Sequence, residues 1–376
     1  MKKHIPFLRP NLVRREAYAA YLDQIDDSHV YSNYGPLNTR FEQRLLDEFF
    51  AGQGSLTTVA NATMGLMLAI SLCRRPKARY ALMPSFTFAA TPLAAMWCGL
   101  EPYFIDIDPD GWHLDIQQVE QTIKHLGSDV AVLIPYATFG SDIDLSRYAA
   151  WHDAGVPVVV DAASSLGTRG DKLHFGQGFP GTVVFSLHAT KSFPIGEGGV
   201  VYSSNSESIA RLRRAANFGF TSERVCNLPG LNAKLSEMHA AVGLATLDTF
   251  NEKKSLRQRV DHWYHDLFEE HALTKSGWRF QRTTGTMARQ FVPAMCPQAL
   301  TNQTIVDLLE QENIEARTYF RPACHQQPQF SSFPKSSLQT TESVAERIVS
   351  LPLWEDMEHE DVVRVVTTLA KTGANR

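Results

Sequence analysis

The chain has 376 residues, a formal net charge of -4, 20% charged residues and 44% residues of the hydrophobic set. That length supports a large core and two domains, and so balanced a charge gives no sign of a polyanion-binding surface, so no nucleic-acid partner is expected. Five scattered cysteines without a CxxC pair exclude a disulfide framework or a zinc site, and no apolar run of about 20 residues marks a membrane span.

In chain order, residues 1–50 read as an N-terminal arm and helices, with a turn at Tyr31-Ser-Asn-Tyr-Gly-Pro36 and a helix over about 39–50. No long apolar region follows Met1-Lys-Lys-His-Ile-Pro-Phe, so we expect no signal peptide, reduced thiols and a cytoplasmic protein. From about 55 to 205, strand and helix patterns alternate. The expected strands are 80–83, 102–107, 130–134, 157–160, 182–187 and 199–202, with helices over 116–125 and 145–154 among them. Such alternation predicts a mostly parallel sheet. A helix is expected over 206–217, and a long helical stretch over 236–268 would link two domains. The Pro- and Ser/Thr-rich segment around 326–341 reads as a loop.

Three segments carry chemistry. Val183-Val-Phe-Ser-Leu-His-Ala-Thr-Lys191 places a lysine just past an apolar strand, and Gly196-Glu-Gly-Gly199 follows. Burial there would disfavour the ammonium, so the residue is either an exposed loop lysine or an amine kept for Schiff-base chemistry. Val156-Pro-Val-Val-Val-Asp161 ends a second apolar run on an acid. Strand ends of this kind form ligand sites in α/β sheets, although an Asp there also caps helices. Small residues follow in Ala162-Ala-Ser-Ser-Leu-Gly167, against which a flat ligand has room. An acid at one strand end and a lysine beyond another fit pyridoxal 5'-phosphate (PLP), whose ring nitrogen and aldehyde need those two groups. In the third segment, Thr57-Thr-Val-Ala-Asn-Ala-Thr63 leads into an apolar helix. Asn61 is a suitable N-cap, and the helix start is either that alone or an anion site as well.

Taken together, these segments resemble the DegT/StrS family of PLP-dependent sugar aminotransferases, of fold type I. The landmarks run end to end: Tyr34-Gly-Pro36, Asn61-Ala-Thr63, Pro84-Ser-Phe-Thr-Phe-Ala-Ala-Thr91, Phe104-Ile-Asp-Ile-Asp108, Asp161-Ala-Ala163, Ser186-Leu-His-Ala-Thr-Lys191, Gly196-Glu-Gly-Gly199, Asn217-Phe-Gly219, Gly230-Leu-Asn232, Ser236-Glu-Met-His-Ala-Ala241 and Leu351-Pro-Leu353. The resemblance implies an α/β fold with a mostly parallel, seven-stranded type of sheet between helices. It divides the chain into an N-terminal arm with a large PLP-binding domain (1–250) and a small α+β C-terminal domain (251–376).

It also implies roles. Lys191 would hold the cofactor aldehyde and later move the proton between substrate and cofactor carbons. Asp161 would pair with the pyridine nitrogen, and Phe88 would stack on the ring, unless it is a core phenylalanine. Ala62, Thr63 and Ser186 would bind the phosphate, and Asn232 would reach the phosphate in a neighbouring subunit, making a homodimer part of the site. Ser164 stands where the family usually has Gln or His on the cofactor's phenolic oxygen, and its shorter side chain would need a water bridge. Ala62 replaces a frequent glycine. His188 invites reading as a general base, but a positioning or packing role facing substrate is expected. Tyr319, Arg321 and His325, with Arg317, lie in a segment that meets substrate or forms a solvated surface.

The implied reaction takes an amino group from L-glutamate to a nucleotide-linked keto-sugar, of the dTDP-4-keto-6-deoxyhexose class, in two half-reactions. A lysine at 191, where the dehydratase branch has histidine, favours transamination. Rival readings are a PLP lyase or cysteine desulfurase, a non-catalytic regulator on the same scaffold, and an aminotransferase acting on a cyclitol or other ketone. A desulfurase would place its histidine directly before the lysine, whereas His188 is two residues removed from that position.

Overall fold

The structure, a computed structural model, describes residues 2–170 and 173–372. Seven strands build the main sheet: β1 (Ser55–Val59), β2 (Tyr80–Pro84), β3 (Glu101–Ile105), β4 (Val130–Leu133), β5 (Val159–Asp161), β6 (Thr182–Ser186) and β7 (Gly199–Ser203). Ladders join β3 to β2 and β2 to β4 in parallel, and β5 to β6 likewise. Parallel bridges Leu133–Val158 and Tyr136–Asp161 connect β4 to β5. β7 pairs antiparallel with both β6 and β1, so the order is β3-β2-β4-β5-β6-β7-β1 with β7 reversed.

The strands are apolar on both sides because helices cover both faces. Along β6, Val183 and Phe185 enter one core and Val184 the other; along β7, Val200 and Tyr202 alternate with Val201 in the same way. This is the period-two alternation of a pleated strand between two apolar layers. Each such side chain, fully buried, contributes on the order of 1.5–3 kcal/mol. Two of these strands, β5 and β6, deliver Asp161 and Ser186 at their carboxyl ends.

The helix Glu237–Glu270 starts at Ser236, whose hydroxyl accepts from the His239 N–H. Its first half packs Leu244, Leu247 and Phe250 on the main sheet. Its second half packs Val260, Tyr264 and Phe268 into a separate core. There they meet an antiparallel sheet of β8 (Arg279–Phe280), β9 (Val292–Met295) and β10 (Ile348–Leu351) and the helices Asn302–Gln311 and His359–Ala370. Ile5, from the N-terminal arm, is buried in this second core. Among the described residues, no helix is long and apolar enough to cross a membrane.

Several elements depart from the sequence expectation. The segment expected only to lead into a helix contains β1, an edge strand whose Thr57 and Thr58 face Val201 and Val200 across the ladder. A helix spans Ala90–Trp97 where none was expected. The helix expected from 39 begins at Pro36, because the distant Glu237 carboxylate accepts the Leu37 and Asn38 N–H groups at 2.7 and 2.9 Å. Capping by a residue so remote leaves no local signature. The expected loop around 326–341 gives way to a helix from Gln339 to Arg347.

Candidate active site

Lys191 sits in the loop that turns β6 back into β7. That loop is tied to itself: the Ala189 N–H donates to Gly196 O at 2.8 Å, the Leu187 N–H to Gly198 O at 2.9 Å, and the Ile195 N–H to Leu187 O at 2.9 Å. Phe193 and Ile195 anchor it in the core. Gly196 has φ +98°, a conformation that disfavours any side chain. At Gly199 a Cβ would lie 2.8 Å from the Ala62 nitrogen, so this glycine lets β7 approach the start of the helix Ala62–Cys73. The glycines of this motif therefore shape both the lysine loop and the helix terminus facing it.

These elements enclose a cavity of about 620 Å³, lined among others by Ala62, Thr63, Phe88, Tyr136, Asp161, Ser164, Ser186, His188, Lys191, Gln290 and Tyr319. Within it, Lys191 Nζ donates to Ser164 Oγ at 2.9 Å and to Gln290 Oε1 at 3.3 Å. Burial depresses the Lys191 ammonium to a pKa of about 8, against the opposing pull of the Asp161 charge. Asp161 is only 3% exposed. Its carboxylate accepts from the Thr91 hydroxyl at 2.6 Å and from the Ala163 N–H at 3.1 Å. Burial pushes its pKa up, while those two donors and Lys191 pull it down. Thr91 is itself 2.9 Å from the Thr87 hydroxyl. The Tyr136 phenol, buried beside Asp161, is pushed well above its ordinary pKa by burial first and by the Asp161 charge second.

Asn61 caps the helix Ala62–Cys73 by accepting the Met64 N–H at 2.9 Å. Ala62 and Thr63 in its first turn, and Ser186 at the end of β6, line the cavity. A helix N-terminus with small side chains and a hydroxyl nearby favours an anion there. Phe88 is 60% exposed, which rules out a core role; its ring lies over the cavity at 6.3 Å from that of Phe320. Tyr319 belongs to an aromatic wall with Phe291 (5.7 Å) and Phe320 (5.8 Å). His188 Nδ1 accepts from the Thr190 N–H at 3.3 Å, which turns its Nε2 toward Glu197 at 3.6 Å.

Not every expected residue converges on this cavity. Asn232 is exposed outside it, where its Oδ1 accepts from Lys234 Nζ at 2.7 Å. Arg321, expected to face substrate, instead donates to Asn302 Oδ1 at 2.8 Å at the head of the helix Asn302–Gln311. His325, expected there too, is 7% exposed and bridges Ser85 (2.7 Å) and Glu342 (3.2 Å), fastening the segment after β2 to the helix Gln339–Arg347. Arg317 pairs with Glu315 and lies over the Phe7 ring. In this fold Arg321 and His325 both fasten loops to helices.

Gln290, Tyr136, Thr91 and Glu197 were not foreseen as lining or buttressing residues. Glu197 lay within a recognised motif and Thr91 in a recognised segment. Gln290 lies 99 residues from Lys191, just before β9, and had no local signal.

The profile of the DegT/DnrJ/EryC1/StrS aminotransferase family matches residues 13–370. A crystal structure of a Bacillus cereus protein assigned as a PLP-dependent aminotransferase superposes with a TM-score of 0.97 at 49% identity, covering 98% of this chain and 100% of that one. The structure of DesI determined with its TDP-sugar product gives a TM-score of 0.87 at 32% identity, covering 99% and 93%. The dTDP-4-amino-4,6-dideoxy-D-glucose transaminase of Escherichia coli is 28% identical over 98% of both chains. A lysine and a buried acid at neighbouring strand ends, in a fold shared along the whole chain with these enzymes, establish that the protein is an aminotransferase belonging to the DegT/DnrJ/EryC1/StrS family.

Proposed function

We propose that the cavity binds PLP and that the enzyme moves an amino group from L-glutamate to a nucleotide-linked keto-sugar of the dTDP-4-keto-6-deoxyhexose class. The observation carrying this reading is the pairing of Lys191 with Asp161 in one cavity that a helix N-terminus also lines. The cavity fits the cofactor on chemical grounds. A carboxylate buried to 3% exposure, with only a hydroxyl and an amide as its hydrogen-bond donors, calls for a cationic N–H in the space it faces. Ala62, Thr63 and Ser186 offer backbone and hydroxyl donors for a phosphate.

Bound there, PLP supplies an aldehyde for the lysine and amines to join and a ring that accepts the electron pair released when a carbon–hydrogen bond breaks. The protein's own groups do the rest. Asp161 keeps a proton on the ring nitrogen, and Thr91 and Ala163 hold the carboxylate in place for that purpose. Phe88, which lines the cavity, would cover one face of the ring. The Lys191 amine, with a pKa of about 8, is a base near neutral pH and moves the proton that each half-reaction requires. Ser164, tethered to Lys191, would be the side chain offered to the phenolic oxygen. His188, Glu197 and Tyr319 line the approach for the sugar.

The nucleotide-sugar substrate is supported by what the relatives handle: DesI was solved with a TDP-sugar product, and the Escherichia coli relative is a dTDP-aminosugar transaminase. We also infer a homodimer. Asn232 stands exposed and accepts from Lys234, which lies over the exposed Phe218 ring, and from this patch it would reach a second copy's phosphate site. The test is incubation of the PLP-loaded protein with L-glutamate and a dTDP-4-keto-6-deoxyhexose. Formation of the amino sugar with 2-oxoglutarate supports the proposal; 2-oxoglutarate release with no aminated nucleotide sugar would redirect it to another ketone.

A further inference from the structure

Two acceptors hold the Lys191 amine, and only one of them lies near the motifs that announce the site. Ser164 follows Asp161 by three residues on the β5 side. Gln290 comes from the opposite wall, just before β9, and is 8% exposed. Its amide oxygen is 3.3 Å from Lys191 Nζ. An ammonium only donates, so the amide must present its oxygen, and the nitrogen is gripped from two directions.

The backbone bearing Gln290 is itself clamped from behind. Arg257 Nη1 donates to the carbonyls of Arg289 and Gln290 at 3.1 and 3.4 Å. Arg257 Nε donates to Glu355 at 2.9 Å, and both partners of this ion pair are buried. The long helix that spans the two cores thus fixes where the Gln290 carbonyl, and with it the side chain, can sit. The Arg289 side chain points elsewhere, toward Asp261.

We propose that Gln290 is a positioning residue that, together with Ser164, sets the direction of the Lys191 amine. The contact stands on geometry alone; its consequence for turnover rests on the aminotransferase reading above. An oxygen acceptor also stabilises the protonated amine relative to the neutral one. Asp161 from β5 acts on the Lys191 charge, and the neutral Tyr136 after β4, His188 and Glu197 from the lysine's own loop, and Tyr319 line the same cavity; Gln290→Leu leaves all of them in place.

The test reads lysine titration directly. Full-length protein before PLP addition is treated with cyanate across a pH series, and carbamylation at Lys191 is followed by mass spectrometry, since only the neutral amine reacts. Gln290→Leu, of similar volume and without an acceptor, should move the carbamylation profile to lower pH by about half a pH unit. Gln290→Glu, which keeps an acceptor and adds charge, should move it to higher pH. In the PLP-loaded enzyme, Gln290→Leu should lower kcat about tenfold with less than about a twofold change in KM for the donor, and Gln290→Glu should recover part of that loss. Coincident profiles for parent and both variants would overturn the proposal. Should Gln290→Leu fail to fold, the upward displacement in Gln290→Glu decides the matter alone. Protection of Lys191 from cyanate by PLP is read in the same samples, so a failure of the cofactor reading is seen separately from a failure of the Gln290 contact.

Discussion

Lys191 Nζ lies 2.9 Å from Ser164 Oγ, and Ser164 stands three residues beyond Asp161 on the same strand exit. One short segment therefore presents both a buried acid and a tether for the amine. The lysine loop, closed by its own backbone hydrogen bonds, supplies the other half of the arrangement.

Substituting Lys191→Met removes the one buried ammonium of the site while keeping side-chain bulk. A fall from 10.5 to about 8 disfavours that ammonium by about 3 kcal/mol at neutral pH. The variant should lose turnover by several orders of magnitude, yet the cofactor-free protein should be more stable by up to that amount. Urea unfolding of the two proteins at neutral pH checks it; a less stable variant contradicts the burial argument.

The pH dependence of that gap has a definite sign. The folded lysine has the lower pKa, so between about 8 and 10.5 the unfolded chain binds more protons than the folded one. The parent's stability, relative to Lys191→Met, should be flat below pH 8 and rise from there toward pH 10. A difference that stays constant across this window would mean that Lys191 is not depressed.

Asp161→Asn keeps the shape of the strand end and removes its charge. PLP binding should weaken but persist, and the proton-transfer steps should slow by a factor on the order of 10² to 10³ or more. Single-turnover kinetics with L-glutamate measure this; a rate within about twofold of the parent would dismiss Asp161 as the ring partner.

Gly199→Ala tests the helix terminus. Its Cβ would fall 2.8 Å from the Ala62 nitrogen and 2.9 Å from the Asn61 carbonyl carbon, so backbone must shift. The expected result is a loss of PLP affinity of about tenfold or more, with Lys191 still titrating as in the parent. Equal affinity by fluorescence titration would show that the phosphate does not depend on this contact.

Much of this site was legible from the chain because its parts are local. Asp161, Ser186 and Lys191 sit at or just past continuous apolar runs, and Asn61 precedes an apolar helix, so pattern and chemistry coincide. β1 was missed because Thr57 and Thr58 carry no apolar run; what makes them a strand is the ladder to β7. Gln290 was missed because its role arises from a meeting of two distant segments. Arg321 and His325 were not separable by pattern, since charge and aromaticity in a loop look alike whether they face a ligand or fasten a helix. Only the partners Asn302, Ser85 and Glu342 separate the two cases.

The central claim is that Lys191 and Asp161 form a working PLP site for transamination. The most direct measurement is the absorbance spectrum of the purified protein with PLP, before and after L-glutamate. The account predicts a visible band that is absent in Lys191→Met and that gives way to the pyridoxamine form on adding the donor. No visible band in the parent, or the same band in Lys191→Met, would contradict it.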